Sequence, residues 1–309
     1  MSDTPLSPPS LDAAAAARWQ ALAQAQGLRD GAPWLHEEVA RRMAERLGWI
    51  AKPPASWLHW AGVPGGLQGH AQVAAVYPDA ACFMQDARTE YAQAAINSIA
   101  KPWWNPSRWR ATPVRAEAPV GGVGMVWANM ALHMDASPQQ LLQRWLELLQ
   151  VDGFVMFSCL GPDTLRELRA LYAAHGWGDP SHDFTDMHDW GDMMVQAGFA
   201  EPVMDMERIT LSFETPQRAL QELRGLGRNL HTGRFGALRG RAWQADLLAA
   251  MQRTLADPHD QGRIKLTFEV VYGHAFKPAP RMLVRESCSI SLAQMRSTLG
   301  LAAAGAKSP

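Results

Sequence analysis

Gly153-Phe-Val-Met-Phe-Ser-Cys-Leu-Gly-Pro-Asp163, followed by Thr164-Leu-Arg-Glu-Leu-Arg169, is the stretch that decides the fold. The unbroken apolar run Phe154–Phe157 reads as a strand buried on both faces, as in a parallel sheet covered by helices. A turn at its C-terminal end leads into a charged helix. Beyond a loop, Asp186-Met-His-Asp-Trp-Gly-Asp192 and Met193–Phe199 read as a second helix, and Pro202–Phe213 as an alternating strand. In such open sheets, ligands bind in the crevice beyond the carboxyl ends of the strands.

Strand and helix patterns alternate outward from this stretch. Ser56-Trp-Leu-His-Trp60 reads as the first strand, with the turn Ala61-Gly-Val-Pro-Gly-Gly66 and a helix to Val76 after it. Ala80–Met84 reads as the second strand, Thr89–Ile99 as a helix, Gly124–Met130 as a strand and Pro138–Gln150 as an amphipathic helix. Ile264–Tyr272 is the last strand, again alternating. Ahead of the sheet, an alanine-rich helix is expected over Leu11–Gln26, stopping near Gly27. In the next helix Val39, Met43 and Leu47 line one face. The pattern predicts an α/β sandwich with a mostly parallel sheet.

The chain has 309 residues, 47% hydrophobic and 19% charged, which excludes a disordered acidic polymer and a membrane-embedded protein. Neither a spanning apolar run nor a signal-peptide pattern is present, so the cytoplasm is the expected compartment. Cys82, Cys159 and Cys288 lie far apart with no CxxC, against a disulfide scaffold or zinc ribbon. A net charge of −1 does not suggest nucleic acid.

Four phrases carry a resemblance: Phe157–Arg169, Asp186-Met-His-Asp189, Ala197-Gly-Phe-Ala-Glu-Pro-Val-Met-Asp-Met206 and Phe268-Glu-Val-Val-Tyr-Gly-His-Ala-Phe276. In this order they resemble the malonyl-acyl-carrier-protein O-methyltransferases of biotin synthesis, class I S-adenosylmethionine-dependent methyltransferases. The resemblance covers about residues 34–278. It implies a Rossmann-like class I methyltransferase fold with an antiparallel last strand. It also implies a helical insertion over 214–262, a preceding disordered or helical segment over 1–33 and a tail over 279–309.

The resemblance implies S-adenosylmethionine as cofactor, held by the turn after the first strand and by an acid ending the second. A glycine turn lets the backbone approach the ligand where a Cβ would intervene. The corresponding positions here are His59, Gly62, Gly65, Gln85 and, after the fourth strand, Asn129. The chain departs from the family there: His59 replaces an acid, Ala61 and Val63 replace glycines, and Gln85 stands at the ribose acid, with Asp86 one residue on. Arg115-Ala-Glu117 replaces Asp-Ala-Glu, and Arg29-Asp30 replaces a Tyr-Asp pair. Losing two charge-assisted hydrogen bonds at ~1.5–3 kcal/mol each would weaken the ligand by orders of magnitude. A non-catalytic relative that binds a carrier or other protein is therefore the competing reading. A reshaped pocket for another small molecule is a third.

On the substrate side the resemblance points to His133, Arg166, Arg169 and His188, the arginines as holders of a malonyl carboxylate. From Arg208 to Arg241 seven arginines face two glutamates, a local charge of +5, which would steer an acidic acyl carrier protein. The same run would also suit a solvated helical face. His182–Asp192 contains metal-ligand residue types but matches no standard spacing, and Asp186 reads as a helix cap. Cys159 reads as a small buried hydrophobe and not a nucleophile. Trp103, Trp104 and Trp109 read as edge packing or an aromatic lid.

Overall fold

The computed structural model describes residues 11–100, 104 and 112–280. Residues 1–10, Trp103, Trp109 and the tail after Arg281, with Cys288, lie outside the described residues.

The strands are β1 (Ser56–Trp60), β2 (Ala81–Gln85), β3 (Val114–Arg115), β4 (Val123–Ala128), β5 (Leu149–Leu160), β6 (Ala200–Phe213), β7 (Ala256–Asp257) and β8 (Arg263–Phe276). Their order across the sheet is β3-β2-β1-β4-β5-β8-β6, with β7 pairing β8. The pairs from β3 to β5 are parallel, and β8 runs antiparallel to both β5 and β6. The chain order reverses between β1 and β4, which opens a crevice at their carboxyl ends.

The helices are α1 (Ala13–Asp30), α2 (Trp34–Glu45), α3 (Gly62–Gly65), α4 (Leu67–Val76), α5 (Thr89–Ile99), α6 (Pro138–Leu148), α7 (Arg166–Ala174), α8 (Met187–Ala197), α9 (Pro216–Leu226) and α10 (Arg241–Leu255). Alternation along β1 divides the core. Trp57 joins α2 and α4 on one face with Val39, Met43, Leu47 and Val73, whereas Leu58 and Trp60 join α6 and α8 on the other. The last eight residues of β5 are all buried, the physical meaning of its unbroken apolar run.

α1 continues through Gly27 to Asp30 and stops at Gly31, past the stop expected at Gly27. Gly27 serves a close approach: a Cβ there would lie 2.6 Å from Val63 Cγ1, so the glycine lets α1 press onto the turn after β1. Gly66 separates α3 from α4 with φ 106°, and its absent Cβ leaves room for Glu37, whose Oε2 would stand 2.6 Å away. Glu37 accepts from the backbone N–H groups of Gln68 and Gly69 and so caps α4 from α2. Among the described residues no helix is long and apolar enough to cross a membrane.

Candidate functional site

A cleft of about 570 Å³ opens at the carboxyl ends of β1, β2 and β4, roofed by α1 and bordered by α9. Trp60, Ala61 and Pro64 form its floor at the first turn, and Met130 and Ala131 continue the floor after β4. Asp30, Asp86, Asp135 and Glu222 bring four carboxylates into the wall, and Tyr91 and Trp19 add aromatic surface. Ala61 (φ 53°) and Met130 (φ 54°) are both left-handed without being glycine, at the ends of adjacent strands. Each such residue costs on the order of 1–2 kcal/mol, a strain typical of binding sites.

Asn129 holds this floor in place. Its Nδ2 donates to the carbonyls of His36 (2.8 Å) and Gly65, while its Oδ1 accepts from Ser158 Oγ at 2.6 Å. Ser158 Oγ and the Ser158 carbonyl in turn accept from the N–H of Met130. One buried amide therefore ties β4, β5, α2 and the first turn together.

Two carboxylates of the wall, Asp86 and Asp135, have no ion-pair partner among the described residues, whereas Glu222 pairs with Arg218. Burial raises Asp86 to about 6 against the pull of the Ala87 and Arg88 backbone N–H groups. Burial also raises Asp135, whose side chain accepts from Ser137 N at 2.7 Å. Asp30 is exposed and paired with Arg29, whose side-chain hydrogen bonds lower its pKa. A buried carboxylate without a cation is stabilised by any ligand that brings positive charge or hydroxyl donors.

The five positions expected to hold a cofactor surround this cleft without forming its lining. The His59 ring is fully buried on the α2/α4 side, stacked on His70 (centroids 5.4 Å, planes 12° apart), with Nδ1 to Nδ1 3.3 Å. Gly62 and Gly65 lie against it: a Cβ on either would come within 3.3 and 3.4 Å of the His59 ring nitrogens. Gln85 turns toward β3, its Nε2 3.4 Å from the Ala116 carbonyl. Asn129 is spent on the network above. The carboxylate in the cleft at the end of β2 is that of Asp86.

The substrate-side candidates separate into two groups. His133 is buried, neither ring nitrogen has a hydrogen-bond partner among the described residues, and the ring packs edge-on against Phe184. Arg169 braces the same loop, donating to the carbonyls of Thr164 (3.2 Å) and His182 (2.8 Å) and to Asp183 (3.3 Å), over the Phe184 ring. Arg166 and His188 are exposed: Arg166 meets Glu167, and His188 meets Asp186, the N-cap of α8. Sequence reading passed over Asp135, Arg224 and Arg228 as cleft residues. Asp135 sits in the helix-start phrase Asp135-Ala-Ser-Pro138, and the two arginines were counted only within a charge run.

No protein-family model matches the chain. Curated relatives do. The malonyl-acyl-carrier-protein O-methyltransferase of Gallionella capsiferriformans is 39% identical over 273 residues, covering 85% of this chain and 91% of the relative. The enzyme of the same name from Laribacter hongkongensis is 38% identical over 265 residues, covering 82% and 86%. This chain belongs to the malonyl-acyl-carrier-protein O-methyltransferase family. Among solved structures, the YcgJ protein of Bacillus subtilis superposes with a TM-score of 0.50 at 13% identity, over 78% of this chain and all of that one. That likeness speaks for the fold.

The site of this malonyl-acyl-carrier-protein O-methyltransferase family member fits S-adenosylmethionine by its donor set. The cofactor carries a sulfonium, an ammonium and a ribose diol. Asp86, a half-buried carboxylate at the end of β2 with no ion-pair partner among the described residues, suits the diol, and the further carboxylates suit the positive charge.

Proposed function

We propose that this protein transfers a methyl group from S-adenosylmethionine to the free carboxylate of a malonyl group carried by an acyl carrier protein, a step of biotin synthesis. Of the three readings that the sequence leaves open, this is the one that the relatives' names support. The observation that carries it is the acid-walled cleft at the strand ends, built around Asp86.

When bound, S-adenosylmethionine supplies an electrophilic methyl. Asp86 would accept hydrogen bonds from the ribose hydroxyls, and Asp30 and Asp135 would offset positive charge. Trp60, Ala61 and Pro64 would supply the apolar floor at the first turn. The acceptor carboxylate is already anionic at neutral pH, so the chain need not supply a base. Its contribution is alignment, which can be worth ~7–11 kcal/mol when reacting atoms are held in a near-attack pose. The Asn129–Ser158 network serves that alignment by fixing the floor.

The carrier protein docks, in this reading, on the arginine-rich face. Arg208, Arg218 and Arg234 are neutralised by Asp163, Glu222 and Asp12. Arg241 has no ion-pair partner among the described residues and keeps its charge available to an acidic surface. The buried thiols of Cys82 and Cys159 suit the reducing cytoplasm.

Calorimetric titration with S-adenosylmethionine and S-adenosylhomocysteine tests the reading directly. Micromolar binding, together with a mass gain of one methyl on malonyl carrier protein, is expected. No binding up to millimolar ligand would sink it.

A further inference from the structure

A second cavity of about 260 Å³ lies between α7, α9 and α10, floored by Leu160 of β5 and Phe268 of β8. Its wall is mostly apolar, with Leu168, Leu223, Leu247 and Trp243 among its side chains. It meets the acid-walled cleft at one place, because Met134, Arg224, Leu226 and Arg228 line both. Two cations thus stand at the junction of an acidic cleft and an apolar slot.

Arg228 is held there. Its Nη1 donates to the carbonyls of Arg224 and, at 2.9 Å, Gly227, and its guanidinium lies 5.1 Å from the centroid of the Trp19 ring. Nε and Nη2 donate to no group among the described residues. Burial lowers its pKa, and the nearby Arg224 charge lowers it further, so the two cations repel. The Arg224 guanidinium has neither hydrogen bond nor ion pair among the described residues. Arg224 alone would be an ordinary solvated cation. A half-buried arginine with part of its donor fork unused, held beside a second unpaired cation, is an arrangement that an anion stabilises.

We infer that Arg224 and Arg228 seat the terminal carboxylate of an acyl thioester whose arm occupies the apolar slot between α7, α9 and α10. The acceptor then reaches the donor's cleft from the α9–α10 side, and the two substrates meet at Met134. This assignment rests on the methyl-transfer reading for its acceptor, but it concerns binding and can be tested apart from turnover. A monoanion on an uncharged arm matches the slot, whose wall holds no lysine or arginine besides these two among the described residues. Arg166 and Arg169 line neither cavity.

The test compares S-malonyl-pantetheine with S-acetyl-pantetheine, which lacks the carboxylate. Calorimetry on the full chain should give a preference for the malonyl thioester of tenfold or more. Arg228→Gln should abolish the preference, Arg224→Gln should reduce it several-fold, and Arg228→Lys should keep part of it. Arg253→Gln, an equal charge change on the exposed side of α10, should leave it intact. Leu247→Trp, which fills the slot, should weaken both thioesters alike. Equal binding of the two thioesters to the unaltered protein, or no binding of either, overturns the inference. So does a preference that survives in the Arg224→Gln/Arg228→Gln double variant. The same holds if methyl transfer proceeds in that variant with KM unchanged. An arginine-dependent preference without any methyl transfer would sustain the inference and instead count against the proposed activity.

Discussion

The interior beneath the β1 turn and the cleft above it are built from neighbouring residues with opposite environments. His59, inward on β1, is sealed with His70 and Cys82 beside Trp57, and Met84, inward on β2, is buried with Val63 and Ala95. Trp60 and Asp86, one and two residues further on, face the cleft. His59 has thus become part of a dry core, while the carboxylate that reaches the cleft from the end of β2 is that of Asp86. Strand alternation converts a one-residue step into a change from core to ligand surface.

The largest expected effect protonates the buried histidines, His59 and His70 on the sealed side and His133 and His182 beside Phe184. Burial holds His70 and His182 at about 4 and keeps His59 and His133 well below their usual range. Between pH 6.5 and 4 the unfolded chain binds protons that the folded chain refuses. The histidine contribution is therefore complete above pH 6.5 and is lost as pH falls toward 4. A histidine held near 4 loses roughly 2 kcal/mol by pH 5, so the set should lose several kcal/mol between pH 7 and 5. Asp86 acts in the opposite sense, since its raised pKa favours the folded state most below its unfolded value and ceases to do so as pH rises through 6. Urea denaturation at the two pH values measures the balance, and an unchanged midpoint would contradict the sealed-histidine picture.

Next is Gly66→Val, which removes the boundary between α3 and α4. It forces a β-branched residue to φ 106° and drives a Cβ into Glu37, the cap of α4. A loss of about 3 kcal/mol is expected from strain and overpacking together. Gly176→Val, at φ 63° with open space around it, should cost less. If chemical denaturation finds the two equal, close packing against Glu37 is not the cause.

On the cleft side, Asp86→Asn should weaken S-adenosylhomocysteine about 10–100-fold, the loss of a charged acceptor at ~1.5–3 kcal/mol. The ligand-free protein should melt no lower at pH 7, because a carboxylate held at about 6 is already strained by burial. Gln85→Ala should change affinity by less than threefold. Calorimetry on both variants decides between the neighbours, and the reverse order of effects would return the ribose contact to Gln85.

Much of the architecture was legible because its signals are local. The apolar run of β5 and the alternation of β6 follow from period and burial. The alternation expected of β8 does not hold in burial: flanked by β5 and β6, it is buried on both faces from Leu266 to Gly273. The error at Gly27 shows the limit, since a glycine selected for contact with Val63 looks in sequence like a helix stop. The site was less legible. The choice between Gln85 and Asp86 depends on where β2 ends, and a strand boundary is uncertain by about the one residue that matters. Arg224 and Arg228 were visible only as charge. Their place between two cavities depends on how the end of α9 meets Trp19, Met134, Leu160 and Phe268, which are distant in the chain.

The smallest expected effect sharpens the same contrast on the outer surface. His188 lies two residues beyond the α8 N-cap, and its ring meets Asp186 in the open, its side chain 79% exposed. The cap itself is the Asp186 carboxylate, which accepts from the His188 backbone N–H at 2.8 Å, and a side-chain change leaves that bond in place. His188→Ala should therefore shift stability by no more than about 0.5 kcal/mol, as exposed ion pairs do. Asp186→Ala should cost about 1 kcal/mol, because it removes the acceptor at the helix start. Neither residue lines the cleft or the slot, so thioester affinity and KM should hold in both variants. A rise in KM for His188→Ala with stability unchanged would mean that the carrier protein reaches around to α8, extending the docking face well beyond the arginines of α9 and α10.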